Sequence, residues 1–196
     1  MWRPLWPRRK TEDPYEDFFL NAQPADPRNL IVNRIREAPE GSVFAVKADT
    51  HTPGVMARHV KELGRFFGAD AVHIVAAASL DLTQSRPTAG DDASPAEGLP
   101  FAVLLLFRAE HDPRESPGIG GHVAGLRGAF ATFQVSAIIR EFGFHATRLS
   151  LAEPDRVAAS VGLGSLDRSG RLKTASLGTK LHVADVILTD LPVTPD

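Results

Sequence analysis

The segment from residue 162 to residue 192 has two halves of different composition, and its sequence is GLGSLDRSGRLKTASLGTKLHVADVILTDLP. The first half is rich in glycine, serine and charged residues, whereas HVADVILTDLP, residues 182–192, is apolar enough to predict a strong strand. Asp167-Arg168-Ser169-Gly170 has the composition of a tight turn, in which glycine supplies a positive φ. On residue chemistry alone, this first half is better explained as a plain hairpin than as a ligand site.

Gly162-Leu163-Gly164 begins like a dinucleotide-binding fingerprint, but Asp167 stands where the third glycine should be. That fingerprint also requires a strand before it and a helix after it. Here a helical pattern precedes the glycines and an extended pattern follows them. The sequence therefore argues against a Rossmann-type nucleotide site.

Outward from this stretch, helical and extended patterns alternate, which predicts an α/β or α+β fold. We predict helices over residues 29–39, 53–68, 122–142 and 154–162, and strands over residues 41–48, 71–78, 99–109, 145–151 and 182–192. Thr52-Pro53 predicts a helix start, because a capping hydroxyl precedes a proline in the first turn. In the longest helix, we expect a buried stripe of Leu126, Phe130, Phe133, Ala137 and Ile138.

Residues 1–27 contain too many prolines for a helix or a central strand, so we predict an extended N-terminal arm followed by one domain over residues 28–196. The basic N-terminus lacks the apolar run of a secretory signal, and no window is apolar enough for a membrane span. We therefore expect a cytoplasmic protein.

Composition excludes several classes of chemistry. A formal charge of −2 gives no electrostatic case for nucleic-acid binding. The absence of cysteine excludes disulfides, thiolate catalysis and cysteine-ligated iron–sulfur clusters. The histidines form no metal-binding spacing, so we predict no metal site. Gly118-Ile119-Gly120-Gly121, before the longest helix, suits either an anion cradle or a flexible helix entry.

Taken together, residues 162–196 resemble the C-terminal signature of the cobalamin-dependent reductive dehalogenases and epoxyqueuosine reductases. In that signature a glycine-rich segment leads through a turn into a strand that closes with TDLPL. The matching residues are Gly162, Gly164, Arg168, Gly170, Leu172, Thr174, Gly178, Thr189, Asp190, Leu191 and Pro192. Upstream, TPGVMARHVKELGRFFGADAVHIVAAASLD and GHVAGLRGAFATFQVSAIIREFGF resemble the early helix–strand unit and the long helix of the same families.

The resemblance implies a nitroreductase-like central sheet flanked by helices on both sides, with residues 28–196 as a corrinoid-binding domain. It implies base-off cobalamin, with Arg168 and Lys173 meeting the tail phosphate and Ser165, Ser169 and Thr174 bonding ring amides. Bare glycine backbone would let a flat macrocycle approach closely. The predicted cofactor-binding residues are Gly162, Leu163, Gly164, Ser165, Arg168, Ser169, Gly170, Leu172, Lys173, Thr174, Gly178 and His182.

Two departures from the family pattern shape the functional prediction. The cysteine-rich iron–sulfur segment is missing from these residues, and residues 125–130 contain neither the tyrosine nor the aspartate that the families place near the start of the long helix. We therefore expect either a cobalamin carrier or processing protein, or a reductase fed by a separate electron donor, with no assigned catalytic residue. Trp2 and Trp6 of the arm would suit docking to a redox partner, and a homodimer is left open.

Two alternatives remain. One is an FMN-dependent, nitroreductase-like oxidoreductase, and the other is an interaction domain without a cofactor.

Overall fold

The computed structural model describes Pro14 and residues 27–88, 98–109 and 122–196. Within these residues the α-helices are α1 (Pro27–Glu37), α2 (Pro53–Phe66), α3 (Val123–Glu141) and α4 (Pro154–Ser160). The strands are β1 (Ala71–Ala76), β2 (Arg86–Pro87), β3 (Phe101–Arg108), β4 (Ala146–Ser150), β5 (Ser165–Leu166), β6 (Leu172–Lys173), β7 (Leu181–Val183) and β8 (Val186–Thr189).

The main sheet is antiparallel throughout and has the strand order β1-β3-β8-β4-β2, with β7 pairing beside β8 on β3. Strands β5 and β6 form a separate two-stranded sheet. Because helices and antiparallel strands make up the domain, the fold is α+β, and the predicted fold class is confirmed.

Strand β3 lies at the centre of the sheet and is covered on both faces. Val103, Leu105 and Phe107 belong to the core under α2 and α3, which we call the α3 face. The alternate residues of β3 belong to the core under α4 and residues 162–174, which we call the hairpin face: Ala102, Leu104 and Leu106. The predicted buried strand and the helices on both sides of the sheet are therefore confirmed.

The predicted strand over residues 182–192 is interrupted. Val183 pairs with Leu106 and Ile187 pairs with Val103, so three residues of the C-terminal segment lie opposite two residues of β3. The extra residue forms a β-bulge, which separates β7 from β8. Ala184 still belongs to the α3-face core and Val186 to the hairpin-face core, so Asp185 is the inserted residue.

The predicted strand over residues 41–48 is wrong. This segment is irregular, and its Phe44 side chain is 56% exposed. Its backbone instead forms hydrogen bonds with the C-terminus of α3. The Phe44 N–H donates to the Arg140 carbonyl at 2.9 Å, and the Ala48 N–H donates to the Phe142 carbonyl at 2.8 Å. The last carbonyls of a helix lack partners within the helix, so a passing extended segment can bond them without joining a sheet.

The predicted buried stripe of α3 is wrong as well, although the helix itself is confirmed. Phe130 is 49% exposed, and the other four residues of the stripe are only partly buried. The buried residues of the helix are mostly small or polar: Ala124, Gly128, Ala129, Ala131, Thr132, Val135, Ser136, Ile139 and Arg140. Small side chains let α3 lie close to the sheet, while Phe133 packs over the Arg148 guanidinium.

The remaining local predictions are confirmed to within a few residues. The Thr52 hydroxyl accepts a bond from the Val55 N–H at the start of α2, and Met56 and Val60 of that helix are buried. Gly143 follows α3 with a φ of 83°. Apart from Pro14, the residues of the arm before Pro27 lie outside the described residues, as does the Gly118-Gly121 loop. In the part of the chain that the structure describes, no helix combines the length and apolarity needed to cross a membrane.

Candidate cofactor site

Residues 162–174 form a hairpin, in which Ser165 pairs with Lys173 and Leu166 pairs with Leu172. Asp167 organises its turn: Oδ1 accepts the Ser169 N–H at 2.8 Å, the Ser169 hydroxyl at 2.7 Å and the Arg171 N–H at 3.0 Å. These bonds, above all the one from the Ser169 hydroxyl, hold the pKa of Asp167 below its usual value. The predicted turn is therefore held by hydrogen bonds within the loop.

The glycines of the hairpin are required for two different reasons, close packing at Gly164 and a positive φ at Gly170. A Cβ on Gly164 would lie 2.3 Å from the Lys173 carbonyl oxygen, so Gly164 is bare because the opposite strand passes over it. Gly170, with a φ of 77°, shapes the turn. A Cβ on Gly162, Gly170 or Gly178 would meet nothing within 4 Å, so the backbone is open at these three positions.

Two predicted cofactor residues anchor the hairpin to the domain. Leu172 is buried in the hairpin-face core, against which Leu163 also packs. Thr174 is buried too, and its hydroxyl accepts the Leu177 N–H at 3.0 Å. Thr174 and Gly178 also exchange both backbone hydrogen bonds at 3.0 Å. These contacts give Leu172, Thr174 and Gly178 structural roles.

The polar side chains that remain available on the hairpin are Ser165, Arg168 and Lys173, all of which are exposed. The Ser169 hydroxyl is already bonded to Asp167. The hairpin therefore offers two exposed cations, Arg168 and Lys173, beside open glycine backbone.

His182 lies on the opposite face of the sheet from the hairpin. It pairs with Phe107 in the sheet, so its side chain points to the α3 face, whereas Leu172 packs on the hairpin face. A Cβ on Gly128 of α3 would lie 3.2 Å from His182 Nε2, so this helix is bare where the imidazole packs. The structure thus splits the predicted residues between the two faces of the sheet.

The His182 imidazole is a neutral, enclosed group. Its Nε2 atom is buried and has no hydrogen-bond partner among the described residues. Burial lowers the pKa of His182 to about 4, because desolvation disfavours the charged ring more than Asp185 favours it, and Arg36 disfavours it further. No group of three or more histidine, cysteine, aspartate or glutamate side chains in the described ranges could hold a metal ion.

The structure contains a buried network of ion pairs that the sequence did not predict. Arg148 of β4 is fully buried, and its Nε donates to Glu40 Oε1 at 2.9 Å. Glu40 Oε2 accepts from Arg140 Nη1 at 2.6 Å. Arg36 of α1 makes a two-pronged contact with the buried Asp185, at 2.9 and 3.0 Å. The sequence feature that could have revealed this network is Arg148 itself, an arginine within an apolar strand. A buried arginine requires a charged or hydrogen-bonded partner, so its position indicates that a partner is nearby.

A polar cleft of about 220 Å³ lies beside α4, the helix that packs against the hairpin. Its lining includes Asp81, Thr83, Glu153 and Arg156. None of the predicted cofactor residues lines this cleft.

Comparisons with known proteins place this fold among solved structures. No family model matches the chain, and no curated protein matches it. The catabolic reductive dehalogenase NpRdhA, solved with 3-bromo-4-hydroxybenzoic acid, aligns with a TM-score of 0.62 and 23% identity over 89% of this chain and 27% of its own. A reductive dehalogenase structure reported to suggest a mechanism for B12-dependent dehalogenation aligns with a TM-score of 0.62 and 24% identity over 93% of this chain and 28% of its own.

At these identities the likeness shows a shared fold. The chain spans about a quarter of the length of the dehalogenases it matches (26% to 28%). The resemblance to reductive dehalogenases therefore holds at the level of the fold.

Proposed function

We propose that this chain is a corrinoid-binding protein of the reductive dehalogenase type. It would act as a cobalamin carrier or processing protein, or as a reductase that receives electrons from a separate donor. The single observation that carries the proposal is the fold shared with a B12-dependent dehalogenase over 93% of the chain. The 196 residues contain no cysteine to ligate an iron–sulfur cluster, so any cluster that supplies electrons would lie outside these residues.

The exposed backbone and charges of the hairpin suit the binding of a corrinoid. Open backbone at Gly162, Gly170 and Gly178 can approach a flat macrocycle, where side chains would hold it away. Arg168 and Lys173 are exposed cations that suit a phosphate-bearing tail. Leu172 and Thr174 would keep the hairpin in shape rather than touch the ligand. His182 lies on the other face of the sheet and would have no contact with a ligand on the hairpin.

A bound corrinoid would supply a redox-active cobalt. The chain's own residues would bind and orient it: Arg168 and Lys173 by charge, and the open glycines by close backbone approach. Ser165 is the exposed hydroxyl that could bond a ring amide.

The test is a titration of the purified protein with cob(II)alamin, followed by visible spectrum and gel filtration. We expect a spectral change and co-elution of the corrinoid. No spectral change together with no retention would refute corrinoid binding. A purified protein that is yellow and carries FMN, with no response to cobalamin, would replace the proposal by the flavin-dependent alternative.

Matched variants locate the site. Arg168→Ala/Lys173→Ala should weaken cobalamin binding about tenfold, because exposed ion pairs each contribute up to about 1 kcal/mol and about 1.4 kcal/mol in total is a factor of ten. The control, Arg58→Ala/Arg65→Ala, removes two exposed cations from α2 on the other face of the sheet. Equal affinity in both variants would show that the hairpin is not the site. Gly164→Leu is a poor probe, because its side chain would strike the Lys173 carbonyl whether or not a ligand binds.

A further inference from the structure

The side of α3 that faces away from the sheet carries large apolar residues. Phe130 is 49% exposed, and Leu126, Ala137 and Ile138 are only partly buried. The buried side of the same helix is built mostly from smaller or polar residues. This distribution is the reverse of an ordinary surface helix, whose large apolar residues face the core of their own chain. We define the outer stripe of α3 as Arg127, Phe130, Gln134, Ala137, Ile138 and Glu141.

An apolar groove of about 390 Å³ lies beside the outer stripe, between α1 and α3. Ile31 of α1 is 45% exposed in this groove, and Phe130 and Gln134 of the outer stripe also line it. Arg148 Nη1 donates to the Ile35 carbonyl at 3.1 Å, so a buried charge holds α1 in place beside the groove. Groove and stripe therefore form one continuous apolar surface, which is typical of a protein–protein interface.

The outer stripe has opposite charges at its two ends. Arg127 and Glu141 are both exposed, and each lies about two helical turns from Gln134. A second copy of α3 packed antiparallel across a two-fold axis at Gln134 would therefore bring each Arg127 beside the Glu141 of the other copy. A parallel second copy would instead set like charges beside each other. The charges of α3 are thus complementary to those of its own antiparallel copy.

The other residues of the outer stripe suit the same axis. Phe130 and Ile138 each lie four residues from Gln134, so the axis would bring Phe130 of each copy near Ile138 of the other. A glutamine amide both donates and accepts hydrogen bonds, so two copies of Gln134 could bond each other. A single polar residue within an apolar helix interface is a known means of fixing its register.

We propose that the outer stripe and the groove form the interface of a symmetric homodimer, in which α3 packs antiparallel against α3 of a second copy. Ala137 and Ile138 of each copy cover the groove of the other, and Arg127 of each pairs with Glu141 of the other. The interface lies on the opposite face of the sheet from the hairpin, so the proposal does not depend on corrinoid binding.

Analytical ultracentrifugation of the full chain should show a dimer at micromolar concentrations. Phe130→Ser should raise the dissociation constant about a hundredfold, because symmetry removes two phenylalanines from each interface. The matched control, Phe66→Ser, removes a phenylalanine of α2 that is 81% exposed, and it should leave the dissociation constant unchanged. A monomeric wild-type chain, or equal effects of the two substitutions, would overturn the proposal.

Charge reversal tests the antiparallel orientation. Arg127→Glu would set like charges beside each other at both ends of the stripe and should weaken association about tenfold. Arg127→Glu/Glu141→Lys exchanges the two charges and should recover most of the lost affinity. If the double variant is folded by circular dichroism and associates no better than Arg127→Glu, the proposed orientation is wrong.

The position of the axis can be tested with one cysteine, because the chain has none of its own. Gln134→Cys would place two thiols on the axis within reach of a disulfide, so oxidation should give a covalent dimer on a non-reducing gel. Ser169→Cys, on the exposed turn of the hairpin, is the control and should stay monomeric on the same gel. Equal yields of covalent dimer in the two variants, or none at position 134, would overturn the proposed arrangement.

Discussion

The two faces of the central sheet are held together by different physics. On the α3 face, buried charges tie the sheet to α1: Arg148 bonds Glu40 and the carbonyls at the end of α1, and Asp185 bonds Arg36. On the hairpin face, residues 162–174 bond mainly to themselves and rest on the core through apolar side chains, chiefly the buried Leu172. Loss of one charged partner should therefore destabilise the α3 face, whereas the exposed residues of the hairpin can be substituted with little effect on stability.

The largest effect should come from breaking the charged network. Arg148→Ala removes one of the two arginines that bond Glu40, and it removes a bond to the Ile35 carbonyl. We expect the free energy of unfolding to fall by about 3–5 kcal/mol, as for other buried pairs that lose one member. Urea denaturation measures it. Arg156→Ala, an exposed arginine of α4, should stay within about 0.5 kcal/mol of wild type, and a similarly small loss for Arg148→Ala would erase the contrast between the faces.

The hairpin face should respond to loss of its anchor. Leu172→Ala removes a fully buried side chain, and we expect a loss of about 3 kcal/mol, within the usual range for leucine truncation in a core. Leu166→Ala, on the paired strand but exposed, is the control. If both variants have wild-type stability by denaturation, the hairpin is not coupled to the core.

The pH dependence of stability should report on His182. Its folded pKa of about 4 lies below the ordinary value of 6.5, so between these values the unfolded chain binds a proton that the folded chain does not. Stability therefore falls as pH falls from 6.5 toward 4, and this residue alone should lower it by about 1 kcal/mol between pH 7.5 and pH 5.5. His182→Gln should remove that share of the wild-type difference, as measured by denaturation at the two pH values.

The control for this experiment is His51→Gln, which removes an exposed histidine. It should retain the wild-type difference between the two pH values. A His182→Gln variant with the same pH dependence as wild type would mean that the imidazole is not held neutral by the fold.

The smallest effect should follow from loosening the turn. Asp167→Ala removes the acceptor for the Ser169 N–H, the Ser169 hydroxyl and the Arg171 N–H, all in an exposed loop. We expect faster amide exchange at Ser169 and Arg171 and only a slight change in melting temperature, because the lost bonds can be replaced by water. Unchanged exchange at both amides would show that Asp167 does not organise the turn.

Sequence patterns predicted the elements better than their contacts. The run LPFAVLLLFRA indicated β3 because a strand buried on both faces needs apolar residues at every position. The stripe of α3 was misplaced because large apolar residues were expected to face the sheet, whereas small residues do so and Phe130 is exposed. Helical spacing alone does not say which of two apolar faces lies closer to a sheet.

The candidate site was only partly accessible to sequence reasoning. The turn at Asp167 follows from local chemistry, and the structure has it as predicted. The separation of His182 from the hairpin depends on strand register and on which face each residue meets, and neither is encoded in the residues themselves. The partners of Arg148 lie far along the chain, at Glu40 and Ile35, so no local pattern could have revealed them.

The bulge at Asp185 adds an attachment for α1 without changing the sheet. Removing this one residue would leave Ala184 and Val186 on the faces they already occupy, so the pairing of β3 with β7 and β8 would survive. What would vanish is the carboxylate that clamps Arg36. A single inserted residue thus adds a second charged attachment for α1 beside the bonds from Arg148 to the carbonyls at the end of that helix, and the rest of the sheet is unchanged.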